Sequence, residues 1–231
     1  MHIQLLIYRR IQVLIILLIT LGSLSAVLAY SFVGEKLFMG YLSVVITIGG
    51  YLLYLMSMYK EELNVSKQIA PHPLSWVLFG FLTGTGWLIQ VARGAQAGSW
   101  TLGVTAAFCF LIAGLSYLKY KQQFKWNEWA WVVLGLFLFL FYFLTNAATL
   151  SAIFITLADL AGYGPTVQKG WKQPWTDNPV NFLFNSVKCG PALLALSSYS
   201  WATSVYLWML LTMNALVALL LLWRRDYLAR K

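Results

Sequence analysis

The chain is 231 residues long; 60% of them are hydrophobic, 16% are aromatic and only 10% carry a formal charge. That balance excludes a soluble domain of this size and implies an integral membrane protein. The net charge of +9 does not point to nucleic acid, because the basic residues form short clusters between apolar runs of about 20 residues, the length that crosses roughly 30 Å of hydrocarbon.

Eight such runs follow in chain order, at about 11–31, 38–58, 74–93, 99–118, 128–146, 148–167, 178–197 and 201–223. The first has a rival reading: Arg9 and Arg10 ahead of an apolar stretch ending in Val27-Leu28-Ala29 also fit a cleaved signal peptide. Its length, and its counterpart at 128–146, favour a retained span. Sorting the basic residues by side places Arg9, Arg10, Lys60, Lys67, Lys119, Lys121, Lys125, Lys169, Lys172, Arg224, Arg225, Arg230 and Lys231 together, against Lys36 and Arg93. Both termini are therefore expected in the cytoplasm of a cell whose inner (plasma) membrane holds the protein. Trp126, Trp129, Trp131, Trp171 and Trp175 sit at span ends, as an interfacial belt does. The sequon Asn64-Val65-Ser66 falls on the cytoplasmic side and carries no glycan, and Cys109 and Cys189 lie inside apolar runs, as small buried hydrophobes rather than a disulfide.

The chain repeats itself. Gly50-Tyr51 and Lys60 match Gly162-Tyr163 and Lys172 at an offset of 112; Pro73 and Trp76 match Pro179 and Phe182 at 106; Ser99-Trp100 matches Ser200-Trp201 at 101. The shrinking offset fits shorter loops in the second copy. The expected fold is all-α, with eight transmembrane helices in two parallel repeats. Residues 1–125 comprise a leading span at 11–31 and a three-helix unit at 38–118; residues 126–231 comprise a leading span at 128–146 and a unit at 148–223.

Two opposite charges stand inside the second unit. Asp159 lies in one apolar run and Lys188 in the next, at similar depth, and an ionised group at bilayer depth costs roughly 2.5–3.5 kcal/mol on insertion scales. They are best explained as partners. Thr156, Asp159 and Tyr163 share a helical face, as do Asn185 and Lys188. Two readings stay open: a pocket pair that binds a polar or zwitterionic solute or exchanges a proton, and a structural lock between helices. Asp159 aligns with Thr47 and Lys188 with Leu82, so the site is expected to be asymmetric.

A second stripe, Trp76, Gly80, Thr83, Trp87 and Gln90, follows helical spacing in the third run; Trp87 and Gln90 are candidates to line a pocket, against plain packing and an interfacial amide. Gly80 and Gly84 permit close helix approach. Asn214 is an isolated amide in the most apolar run and must find a partner. Pro165 and Pro191, with Gly162, Gly164 and Gly190, can bend or open helices; Pro165, with Gly162 and Tyr163, is the expected hinge or gate. Beyond His2 the one histidine is His72, and the chain shows no metal-ligand spacing, nucleophile elbow or phosphate loop, so neither an enzyme nor a cofactor is expected.

The second unit resembles the PQ-loop and SWEET/SemiSWEET superfamily through Gly162-Tyr163-Gly164-Pro165-Thr166, then Lys169, Trp171 and Lys172, a short loop, and Asn178-Pro179 opening the next helix. That family carries Pro-Gln or Pro-Leu at the hinge; here the pair is Pro165-Thr166, and the first copy has Leu52-Leu53 and no proline. The resemblance implies a small-solute carrier working by alternating access, two three-helix bundles facing each other across a central pocket, and a pocket role for Asn214. Its partners are then a small-molecule substrate and the bilayer; a homo-oligomer is not required, since two units complete a pathway within one chain. A non-transporting receptor or assembly factor of the same fold is the alternative.

Overall fold

The computed structural model describes residues 34–58, 73–120, 129–172, 174–175 and 179–230, with backbone alone at 120, 130–132, 165 and 168–169. The expected span at 11–31, the sequon at Asn64, Trp126 and the basic residues Arg9, Arg10, Lys60, Lys67, Lys121, Lys125 and Lys231 lie outside the described residues.

Among the described residues the chain is helical and has no strand. In order come α1 (Glu35–Met58), α2 (Pro73–Ala92), a 3-10 turn (Gln96–Ser99) feeding α3 (Trp100–Tyr120), α4 (Trp129–Thr145), α5 (Ala148–Lys172), α6 (Pro179–Val187), α7 (Cys189–Leu194) and α8 (Trp201–Ala229). Four segments are long and apolar enough to cross a membrane: Glu35–Met58, Pro73–Ala92, Gln96–Lys119 and Trp201–Ala229. Shorter apolar helices cover Val133–Thr145 and Ala148–Gly164. The chain is thus a helical membrane protein.

Local chemistry sets the ends of these helices. Pro73 and Pro179 open α2 and α6, where the missing N–H is no loss because the first turn has no intrahelical acceptor for it. Asn146 ends α4 in the left-handed region (φ 49°) and donates its N–H to Tyr142 O at 2.9 Å, which turns the chain directly into α5. Ser200 begins α8, its N–H held by Thr203 Oγ1 at 2.9 Å. At the far end of α1, Lys119 Nζ donates to the terminal Met58 carbonyl at 2.7 Å and ties α3 to it.

The helices pack in two groups of the same order. α3 lies between α1 and α2, and α8 lies between α5 and the α6–α7 pair. Across the divide the contacts are exchanged, α1 meeting α6 and α7 while α5 meets α2. α4 leans on α2 and α5 from outside, with Val133, Phe137 and Leu144 turned away from the bundle. Because lipid is as apolar as a protein core, close backbone approach rather than water exclusion holds such a bundle, and glycine marks the contacts. A Cβ on Gly50 would stand 2.8 Å from Phe184 across the two groups, and one on Gly86 2.9 Å from Tyr206. The expected approach at Gly80 is present: Phe110 of α3 covers it, 2.8 Å from where a Cβ would stand.

The run expected as one span at 178–197 loses one helical rung, while Lys188 itself stays in the right-handed helical region, its N–H donating to Phe184 O at 3.1 Å and its carbonyl accepting from the Ala192 N–H at 3.4 Å. α6 stops at Val187, α7 starts at Cys189, and Lys188 is the joint. Pro191 has no N–H to give to the Val187 carbonyl four residues earlier, so the helical ladder loses a rung there. By contrast α5 runs unbroken through Gly162, Gly164 and Pro165. The hinge expected at Pro165 thus lies within a continuous helix, and the lost rung lies at Pro191.

Candidate functional site

Asp159 is placed about 17 Å into α5 by eleven residues of helix, and Lys188 about 14 Å from the start of α6, so the two reach the middle of the bundle from opposite ends. Both are buried, at 4% and 3% exposure. They do not close an ion pair. Tyr206 of α8 donates its hydroxyl to Asp159 Oδ2 at 3.1 Å, whereas Lys188 Nζ donates to Thr105 Oγ1 at 2.9 Å and to the Tyr51 hydroxyl at 3.4 Å, and sits 4.8 Å from the Tyr51 ring centroid. The expected direct partnership is therefore replaced by two separate cradles. Its physical reason is topological: Asp159 is bound within its own group by α8, while Lys188 reaches across the divide to α1 and α3.

The two charges remain within electrostatic reach of each other and share a polar neighbourhood. The Cys109 thiol lies beside the Tyr51 hydroxyl and Thr83, and Cys189 stands next to Lys188 in sequence; both thiols are free and buried. One turn past Asp159, the Tyr163 hydroxyl accepts from Asn214 Nδ2 at 2.7 Å, and the same nitrogen reaches Leu210 O at 2.7 Å. The resulting ladder joins α5 to α8 at two levels.

The other expected residues are placed as follows. Asn185 lies one turn before Lys188; its backbone oxygen accepts from the Cys189 thiol at 3.3 Å, and its half-buried side-chain amide has no hydrogen-bond partner among the described residues. Gln90 is buried near the opposite end of α2, donating to Thr203 O at 2.5 Å with its Oε1 unpaired. Trp87 is not brought to the charges. It is 38% exposed and covers Gly103 on the outer seam between α2 and α3. Gly162 has room for a Cβ, 3.8 Å from Phe79, and the Tyr163 hydroxyl is the acceptor for Asn214.

The residues missed from sequence are Thr105 and Tyr206, the hydroxyls that hold the two charges. Each stands five residues past the tryptophan that opens its helix, Trp100 or Trp201, and so at the offset of 101 that relates Ser99 to Ser200. That equivalence was the available signal. Tyr51, the remaining partner, stands at the offset of 112 from Tyr163.

A cleft of about 530 Å³ opens at the end of the bundle where α1 begins, lined by Gly34, Glu35, Lys36, Leu37, Gln96, Ala97, Trp100 and Ser197. The charged pair is not among its walls. Among the described residues no group of three or more His, Cys, Asp or Glu side chains is placed to hold a metal ion. Comparison with protein-family models, with curated proteins and with solved structures returns no match.

Proposed function

We propose that the protein is a carrier that moves a small polar solute across the inner membrane by alternating access, with Asp159, Lys188, Asn185 and Asn214 at its site. The observation that carries this reading is the placement of two buried opposite charges, each on a separate hydroxyl cradle, where the two helical groups meet. Ionisable groups kept at this depth mark solute or ion pathways in membrane proteins.

In this reading α1–α3 and α5–α8 are two copies of one three-helix unit, preceded by the leading spans 11–31 and 128–146, which makes eight spans with both termini cytoplasmic. The matching packing order, the prolines that open α2 and α6, and the tryptophans that open α3 and α8 support the duplication. The likeness to PQ-loop and SWEET proteins belongs to the same proposal, with the hinge at Pro165 and the lost rung at Pro191 as its two candidate joints.

A second reading, a receptor or assembly factor of the same fold, draws on the bonds Asn214–Tyr163 and Gln90–Thr203, which occupy groups expected to bind solute. Flux separates the two. Proteoliposomes offered a mixture of sugars, nucleosides, amino acids and organic acids, with the lumen read by mass spectrometry, accumulate at least one solute. Asp159→Asn lowers that uptake by about tenfold or more, the loss expected when a charge-assisted contact of about 1.5–3 kcal/mol disappears, while the protein stays folded. Uptake unchanged in this variant removes Asp159 from the mechanism, and no flux of any solute leaves the receptor reading.

A further inference from the structure

The transport reading leaves the charge of the cargo open, and Lys188 supplies it. We propose that Lys188 and Asn185 form an anion subsite and that the cargo is a small organic monocarboxylate; the assignment rests on the transport reading.

An ammonium offers three N–H donors. Lys188 finds two neutral acceptors, Thr105 Oγ1 at 2.9 Å and the more distant Tyr51 hydroxyl at 3.4 Å, and an aromatic face. Its natural counter-ion in the core, Asp159, is bonded to Tyr206 instead. A buried cation on a neutral cradle is held less firmly than one on an anion, because a hydroxyl accepts a charge-assisted hydrogen bond but supplies no opposite charge. Lys188 is thus a buried charge with its best partner absent.

Asn185 supplies the second donor. It precedes Lys188 by three residues, so the two side chains leave the same face of the helix, and its amide has no hydrogen-bond partner among the described residues. A planar carboxylate has two oxygens to accept from an ammonium and an amide side by side. Charge balance narrows the class further. The single ammonium offsets one negative charge, so a phosphate dianion would set one more uncompensated charge against Asp159 than a monocarboxylate does. The subsite is also placed to couple binding to motion. Thr105 and Tyr51 belong to the first group and Lys188 to the second, so a carboxylate that takes over Lys188 releases a bond between the groups.

The test uses the whole chain in lipid nanodiscs, with thermal unfolding read against acetate, propionate and lactate, against acetamide, propionamide and lactamide, and against chloride at matched ionic strength. The carboxylates raise the unfolding midpoint, and the amides and chloride do not. Lys188→Met weakens the apparent carboxylate affinity by about tenfold or more, Lys188→Arg keeps it within a few-fold, and Asn185→Leu weakens it several-fold, the range for a lost charge-assisted hydrogen bond. Stabilisation by the amides or chloride equal to that by the carboxylates, no stabilisation by any carboxylate, or an unchanged affinity in Lys188→Met with Lys188→Arg folded, overturns the subsite. Flux of a sugar or nucleoside that carboxylates do not inhibit overturns it too and leaves transport standing; carboxylate stabilisation without flux of any solute does the reverse.

Discussion

Asp159 and Lys188 were legible because a charge inside an apolar run has few explanations, and their burial at mid-bundle follows directly from where those runs lie. Their partners were not legible, because a tyrosine or threonine in a span is ordinary and only the fold aligns Tyr206 and Thr105 with a charge. Two substitutions weigh these contacts. Tyr206→Phe leaves the ring and removes the donor to Asp159, and should cost about 1.5–3 kcal/mol of stability in denaturant unfolding from detergent. A loss below about 0.5 kcal/mol would mean that Asp159 does not need this hydroxyl. Thr105→Val keeps the shape of the side chain, takes the nearer acceptor from Lys188 and should cost a similar amount, since Tyr51 is the more distant of the two. Trp87 shows how a stripe misleads: helical spacing gathers Trp76, Gly80, Thr83, Trp87 and Gln90 on a face wide enough to meet two neighbours. Gly80 and Trp87 turn to α3, while Gln90 turns to α8.

At the scale of elements the start of most helices could be read from proline, serine and tryptophan, and the described helices begin within about three residues of the expected runs. The rung lost at Pro191 could be read only as a candidate bend, because nothing in the sequence ranked Pro191 above Pro165. Pro191→Ala restores the N–H that the Val187 carbonyl lacks. It should join α6 to α7 and raise stability by up to about 3 kcal/mol, the cost of a proline inside a helix, while slowing flux because the joint is stiffened. Faster flux with a lower unfolding midpoint would contradict the role given to the joint. Close contacts make a second test. A Cβ on Gly98 would meet the backbone of Leu196 at 2.8 Å, which no rotamer can relieve, whereas one on Gly162 would meet only Phe79 at 3.8 Å. Gly98→Ala should therefore destabilise the protein by about 1–3 kcal/mol and Gly162→Ala by much less, as read from unfolding midpoints.

For the whole molecule, composition sufficed to place the chain in a membrane and the charge pattern to suggest its orientation. The grouping of helices was only hinted at by a handful of matched residues, since packing order depends on which faces carry small side chains, and that is settled in three dimensions. The charged residues lie where the two groups meet, along the seam of exchanged contacts of α1 with α6–α7 and of α5 with α2, which the proposed carrier would open. Two native thiols report on it. Cys109 and Cys189 are buried at 1% and 0% exposure beside the charged residues, out of reach of water in a static bundle. The most direct measurement is their modification by the membrane-impermeant anionic reagent 2-sulfonatoethyl methanethiosulfonate, added to one face or the other of sealed vesicles and mapped by mass spectrometry. A carrier whose seam opens in turn to each side is labelled at Cys189 or Cys109 from both faces; a protein in which neither thiol reacts from either face, while remaining folded, does not work by alternating access.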